Sequence, residues 1–569
     1  MPNLRNYNLM NVLLIVPPIQ DAFFTTKRNF PLGVLYLATV LKEDGIKVKL
    51  LNSLEENKKI SLTFPKEFNY LKRYYKPNKL PFSLFQGFFH FGLTYEEISQ
   101  VVRAYNPQLV GISANFSPYF FSALEVVRRV KEINNNITVV VGGRVATEFP
   151  EFVLDYPYID FAIRGEGEFA LSKLCRGLAK GSLGRIGGLC YRVNNKIKIS
   201  SQIQIIKDLD KLPLVDRKLI NYRNYRFKGL ISTAIIASRG CYLDCRFCSI
   251  KEPFRARNVE KILEEMEIAY SLGIRHFNFE DDNINLHPQK EKLVDLIISH
   301  FSNRNEKIKL SFMNGIMAKG LSKRLIDKLL MCGLTHIDFS LVSSKKRLRL
   351  YLGRREENKI MISKTNYLAQ KGIPVTIHFI TGFPSQKFKD ALEDIIYLSK
   401  QRAFLGMGIF YPVLGKGLLN EQANSDYIKN NIIFFRSSFA YFDRDISRDR
   451  IFFLFYIARI VNFVKLIIDT YNLNNENFYS FIYKFNNSNL NKSYIISEEK
   501  IDRITLGIMA LNKIFKERDI FRVISIKDKD KFVYQFIKED FISSKDLNLL
   551  FKNKLEIRGV RTNNYIYLS

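Results

Sequence analysis

The chain has 569 residues, of which 47% are hydrophobic and 25% are charged, and its formal net charge is +31. This length exceeds what one hydrophobic core supports, so we expect two or three domains, and the apolar content excludes an intrinsically disordered chain. Three of the six cysteines lie within eight residues, which argues against a secreted disulfide framework and favours the reducing cytoplasm.

The excess of basic residues could bind nucleic acid, an anionic membrane surface or an acidic substrate. Lys and Arg are spread along the chain with few dense blocks, whereas a nucleic-acid footprint clusters on one face. We therefore do not expect a nucleic-acid partner. The longest apolar stretch, residues 451–468, contains Arg459 and Lys465, which indicates a buried or surface-lying helix and leaves membrane-surface association open.

Short apolar strands alternate with amphipathic helices in the first part of the chain. This alternation indicates a parallel sheet covered on both faces, which binds ligands at the carboxyl ends of its strands. We predict a Rossmann-like domain over residues 8–180, with an aromatic and Lys-rich insertion at about 55–90. The expected strands are residues 11–16, 47–51, 108–113, 137–141 and 159–163.

A second alternation follows a predicted linker at residues 181–229. Six strand patterns with intervening helices indicate a partial (β/α)6 barrel over residues 230–430, with its chemistry at the carboxyl ends of the strands. A mainly helical C-terminal domain is expected over residues 431–569, with a linker at 472–493 and a final helix that starts at Ser497. The predicted barrel strands are residues 233–237, 275–279, 308–312, 337–341, 375–380 and 407–411.

Cys241, Cys245 and Cys248 form C-x3-C-x2-C directly after the first predicted barrel strand. Three thiolates on one loop can each bind one iron of a [4Fe-4S] cubane and leave the fourth iron open, as a reaction centre requires. A structural zinc site wants four ligands, and the nearest further candidate, His276, lies beyond a predicted helix. The pattern therefore predicts a [4Fe-4S] cluster, with zinc or purely structural cysteines as the alternative.

This motif, with Phe247 before its last Cys, resembles the signature of radical S-adenosylmethionine (SAM) enzymes. Three downstream segments resemble the core of one subgroup, at residues 254–283, 313–341 and 375–386. The resemblance implies that the cluster binds SAM and cleaves it reductively to a 5′-deoxyadenosyl radical. It implies SAM contacts at the ends of the second, third and fourth barrel strands, from Glu280, Asp281, Asp282, Asn314 and Ser343.

Two of these expectations have alternatives in the sequence itself. The three acidic residues also suit a solvated turn that precedes a helix. At the fourth strand, relatives often read L-E-S-G where this chain reads Leu341-Val342-Ser343-Ser344. The usual carboxylate is therefore missing, and Ser343 remains as the candidate contact at this strand.

The N-terminal domain resembles the cobalamin-binding domain that precedes the radical SAM core in this subgroup. The similar segments are residues 16–18, 31–45, 109–113, 139–143 and 163–168. The resemblance implies cobalamin contacts from Ser113, Gly142 and Gly143. A D-x-H-x-x-G ligand motif is missing, and His90 stands in a poor context, so we expect no protein imidazole beneath the cobalamin. A Rossmann-like domain without cobalamin is the alternative.

The resemblance favours a cobalamin-dependent radical SAM methyltransferase that acts on an unactivated carbon of a small molecule, lipid or peptide. It implies an external electron donor of the flavodoxin or ferredoxin type. The alternatives are oxidative cyclisation or rearrangement without methyl transfer, and an RNA- or membrane-binding protein. Arg246, Arg255 and Arg257 could meet an acidic substrate or lie on the surface, and His378 is expected to be a satisfied core histidine.

Overall fold

The computed structural model describes residues 10–24, 29–194, 196–250, 252–411, 418, 430–434, 445–484, 494–497, 501–528, 531–552 and 556–560. Two α/β units and a C-terminal unit follow one another along the chain. Their order agrees with the predicted fold class. The boundary expected at residue 430 adjoins residues outside the described ranges.

The N-terminal unit is built on a seven-stranded sheet with helices on both faces. Of its five parallel strands, the four inside the sheet are apolar and largely buried, because both faces are covered, whereas the edge strand is partly exposed. In sheet order the strands are Lys47–Asn52, Asn11–Val16, Leu109–Ser113, Thr138–Gly142, Phe161–Ile163, Leu189–Val193 and Lys196–Lys198. The last two are antiparallel and lie past the boundary predicted at residue 180.

Strand order reverses beside Asn11–Val16, because the chain next adds Lys47–Asn52 on one side and Leu109–Ser113 on the other. Such a reversal opens a crevice at the carboxyl edge of a parallel sheet. The helices of this unit are Leu32–Glu43, Tyr95–Tyr105, Phe120–Ile133, Arg144–Glu148, Pro150–Leu154 and Glu168–Ala179.

The second unit is a partial barrel with parallel strands in two hydrogen-bonded groups. In the described residues the strands are Leu230–Ile235, His276–Phe279, Lys309–Ser311, Ile337–Val342, Val375–Thr381 and Phe404–Ile409. The helices are Val259–Ser271, Lys290–Phe301, Lys323–Met331, Lys346–Tyr351, Asn358–Gln370 and Phe388–Ser399. Apolar side chains on the outward faces of the strands pack against these helices in one large core.

The C-terminal unit has more strand than predicted. Its helices are Arg448–Thr470, Asn475–Lys484, Arg503–Glu517 and Ser544–Lys552, and a three-stranded antiparallel sheet joins Tyr494–Ser497, Lys531–Lys538 and Phe521–Asp528. The expected helix start at Ser497 is wrong, because Ser497 ends a strand and Asp502 caps the helix by accepting from the amides of Ile504 and Thr505. The predicted linker at 472–493 contains a helix, and residues 485–493 lie outside the described ranges.

In the described part of the chain, the helix Arg448–Thr470 is long and apolar enough to cross a membrane by length and composition. However, 89% of its most apolar window is buried inside the protein. The aromatic insertion packs on it, for example through Tyr74 stacked on Phe452 at 4.0 Å between ring centroids. The Lys465 ammonium donates to three backbone carbonyls, and burial lowers its pKa to about 7. This helix is therefore a core element.

Candidate functional site

The cysteine loop leaves the barrel just after its first strand and is closed at its base by a short antiparallel pair, Ser238–Arg239 with Arg255–Ala256. The amide of Leu243 points at the Cys241 sulfur at 3.5 Å, and the amide of Cys248 donates to the carbonyl of Cys245 at 3.0 Å. None of the three cysteines is in a disulfide. The loop therefore brings the three predicted ligands together on one short segment.

Two glycines allow the loop to pack closely against backbone. Gly240 has φ +80°, and a Cβ there would lie 2.2 Å from the carbonyl oxygen of Pro253. Gly353 has φ +77°, and a Cβ there would lie 2.3 Å from the carbonyl oxygen of Asp244. Both positions require glycine because the backbone is left-handed and the neighbouring atoms are main chain.

The donor set suits a cubane cluster better than a single ion. Among the described residues, no group of three His, Cys, Asp or Glu side chains is arranged to hold one metal ion. A cubane binds each thiolate to a different iron, so its ligands need not converge on one point. Burial raises the pKa of the Cys241 thiol, so cluster binding there must be coupled to proton release.

The acidic residues at the end of the second barrel strand have different positions. Glu280 and Asp282 line a cavity beside the loop, and Asp282 also accepts from the amide of Gly240 at 2.9 Å. Asp281 is buried and accepts from the amide of Ala237 and the hydroxyl of Ser238. Burial raises the pKa of Asp281 to about 7. Glu280 and Asp282 can thus face a ligand, whereas Asp281 braces the strand that leads into the loop.

The other two predicted SAM contacts also differ. Asn314 is exposed and donates from its side-chain nitrogen to the carbonyl of Glu280 at 2.9 Å, so it lies at the same mouth. Ser343 is fully buried, and its hydroxyl donates to Asp394 at 3.1 Å. Because Ser343 holds the fourth strand to the helix Phe388–Ser399, the structure gives it a structural partner in place of a ligand.

A cavity of about 470 Å³ lies between the carboxyl edge of the N-terminal sheet and the cysteine loop. On the sheet side it is lined by Ser113, Gly142 and Gly143, the three positions expected to contact cobalamin. A Cβ at Gly142 would meet no atom within 4 Å, so this glycine keeps the cavity wall open. This edge of the sheet is therefore open, as a flat, bulky group such as cobalamin requires.

Histidine is missing from the residues that line this cavity, as far as the structure describes them. His90 lies elsewhere, buried, with its Nε2 against the carbonyl of Leu93 at 2.9 Å. Arg144 lines the cavity and forms a two-pronged ion pair with Glu252. The expectation that no protein imidazole lies beneath the cobalamin stays a prediction.

Ion pairs tie the two units together at both ends of the cysteine loop. Glu166, from the N-terminal unit, binds Arg239 at 3.2 Å and Arg255 at 2.7 Å. Glu168 binds Arg239 at 2.7 Å. Arg255 is thus committed to the loop, and Arg257 is buried against Glu265 at 2.8 Å, so neither is a free substrate contact. The remaining candidate, Arg246, stacks over Tyr351 and donates to its carbonyl.

The barrel lumen contains polar residues that sequence reasoning missed. The Nη2 of Arg354 donates to the Ser340 hydroxyl at 3.1 Å, and Nε2 of His378 lies 3.1 Å from the Asp338 carboxylate. The His378 side chain is 51% exposed, so the prediction of a core histidine is wrong. The missed signal was the alternation of apolar and polar residues along residues 337–342 and 375–381, which places these groups on the face opposite the core.

The fold and the site define a class of protein in which a radical SAM barrel with a cysteine loop is joined to a doubly wound N-terminal domain across a shared cavity. The Radical SAM superfamily model matches residues 235–398, and the B12 binding domain model matches residues 87–174. The chain is therefore a radical SAM enzyme with an N-terminal B12-binding domain, which confirms the predicted family and fold class. These domains imply SAM, a [4Fe-4S] cluster and cobalamin as cofactors.

Particular relatives narrow this class to proteins related to methyltransferases. The chain is 26% identical over 402 residues to the uncharacterized methyltransferase PH0819 of Pyrococcus horikoshii. This match covers 69% of this chain and 78% of that protein. It is 22% identical over 475 residues to the cytidylyl-2-hydroxyethylphosphonate methyltransferase of Streptomyces wedmorensis. This match covers 75% of this chain and 84% of that protein. The structure of the radical SAM methyltransferase TsrM from Kitasatospora setae, with tryptophan substrate and a SAM analogue bound, has a TM-score of 0.55 at 15% identity and covers 70% of this chain and 73% of that one. At that identity, the structural likeness concerns the fold.

Proposed function

We propose that this enzyme is a cobalamin-dependent radical SAM methyltransferase that methylates an unactivated carbon of a small molecule. The observation that carries the proposal is the shared cavity, which has Gly142 and Gly143 on one wall and Gly240, Glu280 and Asp282 on the other. A methyl donor held at the sheet edge and SAM held at the cysteine loop would thus face the same space. Both relatives described above are named methyltransferases, which favours methyl transfer over cyclisation or rearrangement.

The residues that line the site would have different roles according to their positions. Cys241, Cys245 and Cys248 would hold the cluster, which supplies the electron for SAM cleavage when loaded. Glu280 and Asp282 would accept hydrogen bonds from the SAM ammonium, because carboxylates suit a bound cation. The open sheet edge would hold cobalamin, which supplies the methyl-transfer centre. None of the six cysteines is in a disulfide, which suits the proposed reducing cytoplasm.

Anaerobic incubation of the iron-reconstituted protein with SAM, a reductant and cobalamin tests this proposal. We expect 5′-deoxyadenosine together with S-adenosylhomocysteine, the latter only when cobalamin is present, and isotopic methyl label from SAM in the acceptor. An external donor of the flavodoxin or ferredoxin type should replace the chemical reductant. 5′-Deoxyadenosine without S-adenosylhomocysteine would move the assignment to cyclisation or rearrangement.

Two matched cysteine variants separate the site from the core. Cys241→Ala should lose both the cluster and SAM cleavage. Cys332→Ala should retain both, because the Cys332 sulfur is buried in the barrel core and contacts only the carbonyl of Val294 at 3.8 Å among the hydrogen bonds described. Full activity of Cys241→Ala without a cluster would refute the proposed chemistry.

A further inference from the structure

A dense block of basic residues follows the fourth barrel strand. Residues 345–355 contain six Lys or Arg and no Asp or Glu, and the helix Lys346–Tyr351 lies within this block. Part of the charge is used inside the fold, because Arg349 is buried and Lys345 pairs with Glu393. The charges that remain on the surface are those that could meet a partner.

The outward side of this helix carries exposed cations around an exposed apolar side chain. Lys346 and Arg347 are exposed on the helix, and Arg355 is exposed just beyond its end. Leu350, on the same helix, is 52% exposed although it is apolar. Cations around an uncovered leucine are typical of a polar rim around an apolar contact point.

The ion pairs of this surface do not cancel its charge. Arg347 lies 3.5 Å from the Asp390 carboxylate, so the start of the helix Phe388–Ser399 belongs to the same surface. Over residues 345–357 and 387–393 together, eight Lys or Arg stand against four Asp or Glu. The surface therefore keeps a net positive charge.

The basic helix packs directly on the cysteine loop. The amide of Arg246 donates to the carbonyl of Leu352 at 3.1 Å, and the Arg246 guanidinium lies 4.5 Å from the centre of the Tyr351 ring. Phe247 packs against an apolar cluster that contains Leu348 and Leu352. Arg246 and Phe247 are the two residues between the second and third cysteines, so the helix lies behind the proposed cluster ligands.

The first part of the loop adds an exposed aromatic residue. Tyr242 directly follows Cys241 and is 68% exposed, more than any other large hydrophobic side chain described, with its ring edge-on to Phe254 at 6.2 Å. This part of the loop also touches the basic block, because a Cβ at Gly353 would lie 2.3 Å from the carbonyl oxygen of Asp244. Exposed tyrosines are enriched where proteins bind each other.

The N-terminal unit occupies the opposite side of the loop. Arg144 pairs with Glu252 of the loop at 2.7 Å, and Glu166 pairs with Arg239 and Arg255 at its base. In the described part of the chain, a large partner can therefore approach the loop only from the side of the basic helix.

The proposed reaction defines what such a partner would do. Each SAM cleavage consumes one electron, so a donor outside the chain must be oxidised by one electron while the [4Fe-4S] cluster is reduced from the 2+ to the 1+ state. The donor must come close to the loop to transfer this electron. Opposite charges on two proteins speed their encounter and fix their orientation.

We propose that an acidic electron-donor protein of the flavodoxin type docks on this surface, which we call the loop face. The loop face consists of Tyr242, Lys346, Arg347, Leu350 and Arg355. This inference rests on the proposed function, because it names the partner that supplies the electrons of that reaction.

Binding of oxidised flavodoxin to the cluster-reconstituted protein tests the proposal by calorimetry, without SAM and without turnover. We expect the affinity to fall as salt is added, because exposed charges are screened. Lys346→Gln combined with Arg347→Gln should weaken binding at low salt by roughly tenfold, since each exposed charge pair contributes modestly. Tyr242→Ser should weaken binding at low and high salt alike, because its contact is apolar.

A second measurement follows the electron itself. Reduced flavodoxin is mixed anaerobically with the protein, and rapid freezing with electron paramagnetic resonance detects the reduced cluster. The double variant Lys346→Gln/Arg347→Gln should be reduced more slowly by flavodoxin, by about the same factor as its affinity falls. Reduced methyl viologen, a small cation that needs no docking surface, should reduce the variant as fast as the wild type.

Matched controls separate loss of the loop face from loss of charge in general. Lys47→Gln combined with Lys173→Gln removes two exposed charges from the N-terminal unit. This control should bind flavodoxin and be reduced by it as the wild type is, and all variants should keep their cluster content and melting temperature. If Tyr242→Ser loses the cluster, the Lys346→Gln/Arg347→Gln variant decides.

Three results would overturn the proposal. Flavodoxin binding could be independent of salt, the loop-face double variant could keep wild-type affinity and reduction rate, or the N-terminal control could lose as much of both. Failure of methyl transfer in the assay of the proposed function leaves these binding and reduction results unaffected, so the two proposals fail separately.

Discussion

Gly240→Ala should prevent cluster loading while leaving the fold in place. Gly240 has φ +80°, a conformation that costs a non-glycine residue about 1–2 kcal/mol. A methyl group there would also lie 2.2 Å from the carbonyl oxygen of Pro253 and 2.6 Å from that of Glu252, both main-chain atoms. The loop must therefore move, and the bond from the Cys241 amide to the Glu252 carbonyl, at 3.3 Å, is the first to break.

The expected cost can be divided into two parts. The left-handed conformation contributes about 1–2 kcal/mol, and the lost hydrogen bond contributes about 1 kcal/mol more. Because these costs fall on the segment that carries the cysteines, we expect displacement of Cys241 rather than global unfolding. Gly229→Ala is the matched control, since Gly229 has φ +83° and a Cβ there would meet no atom within 4 Å.

Iron and sulfide content after anaerobic reconstitution, together with thermal unfolding, measures the difference. Gly229→Ala should load a full cluster and lose only the conformational part of the stability. Gly240→Ala should load little cluster at a similar melting temperature. A full cluster in Gly240→Ala would refute the argument that close main-chain packing shapes this loop.

Three further outcomes follow from the same structure. Gly142→Val should abolish cobalamin retention during gel filtration without altering cluster content, because the new side chain would project into the open cavity. Glu265→Ala should lower the free energy of unfolding in urea by about 3–5 kcal/mol, because it leaves two buried arginines without their carboxylate partner. Glu264 is exposed, so Glu264→Ala should change this free energy little. Burial raises the pKa of Asp394 from 3.8 to about 6, so the stability that its protonated form contributes is present below pH 4 and lost as the pH rises through 6. Asp394→Asn should therefore remove this loss of stability from melting temperatures measured against pH.

The barrel could be predicted from sequence because its strands are apolar and separated by helical patterns. The fourth strand, Ile337–Val342, matches the expected 337–341 almost to the residue. The sixth, Phe404–Ile409, was expected at 407–411, because Gly406 and Gly408 dilute its apolar pattern at the start. The family resemblance, carried by the spacing of the three cysteines, could also be predicted, because that spacing is local.

The C-terminal hairpin, by contrast, was missed although its signal was present. Phe521–Asp528 and Lys531–Lys538 are rich in aromatic and β-branched residues, which strands favour. Long-range partners could not be predicted at all. His378 lies 40 residues from Asp338, and Glu166 lies 89 residues from Arg255, so only the folded chain reveals these pairs.

The placement of Glu166 bears on how the two domains act together. Its carboxylate comes from the N-terminal unit, yet it binds Arg239 and Arg255 at the two ends of the cysteine loop. Both arginines are largely buried, so these pairs are screened less than surface pairs and breaking one leaves an uncompensated charge. The wall that would hold cobalamin and the loop that would hold the cluster are therefore linked through Glu166, together with the pairs that Glu168 and Arg144 form. Because the cavity needs both walls, neither domain alone contains the site.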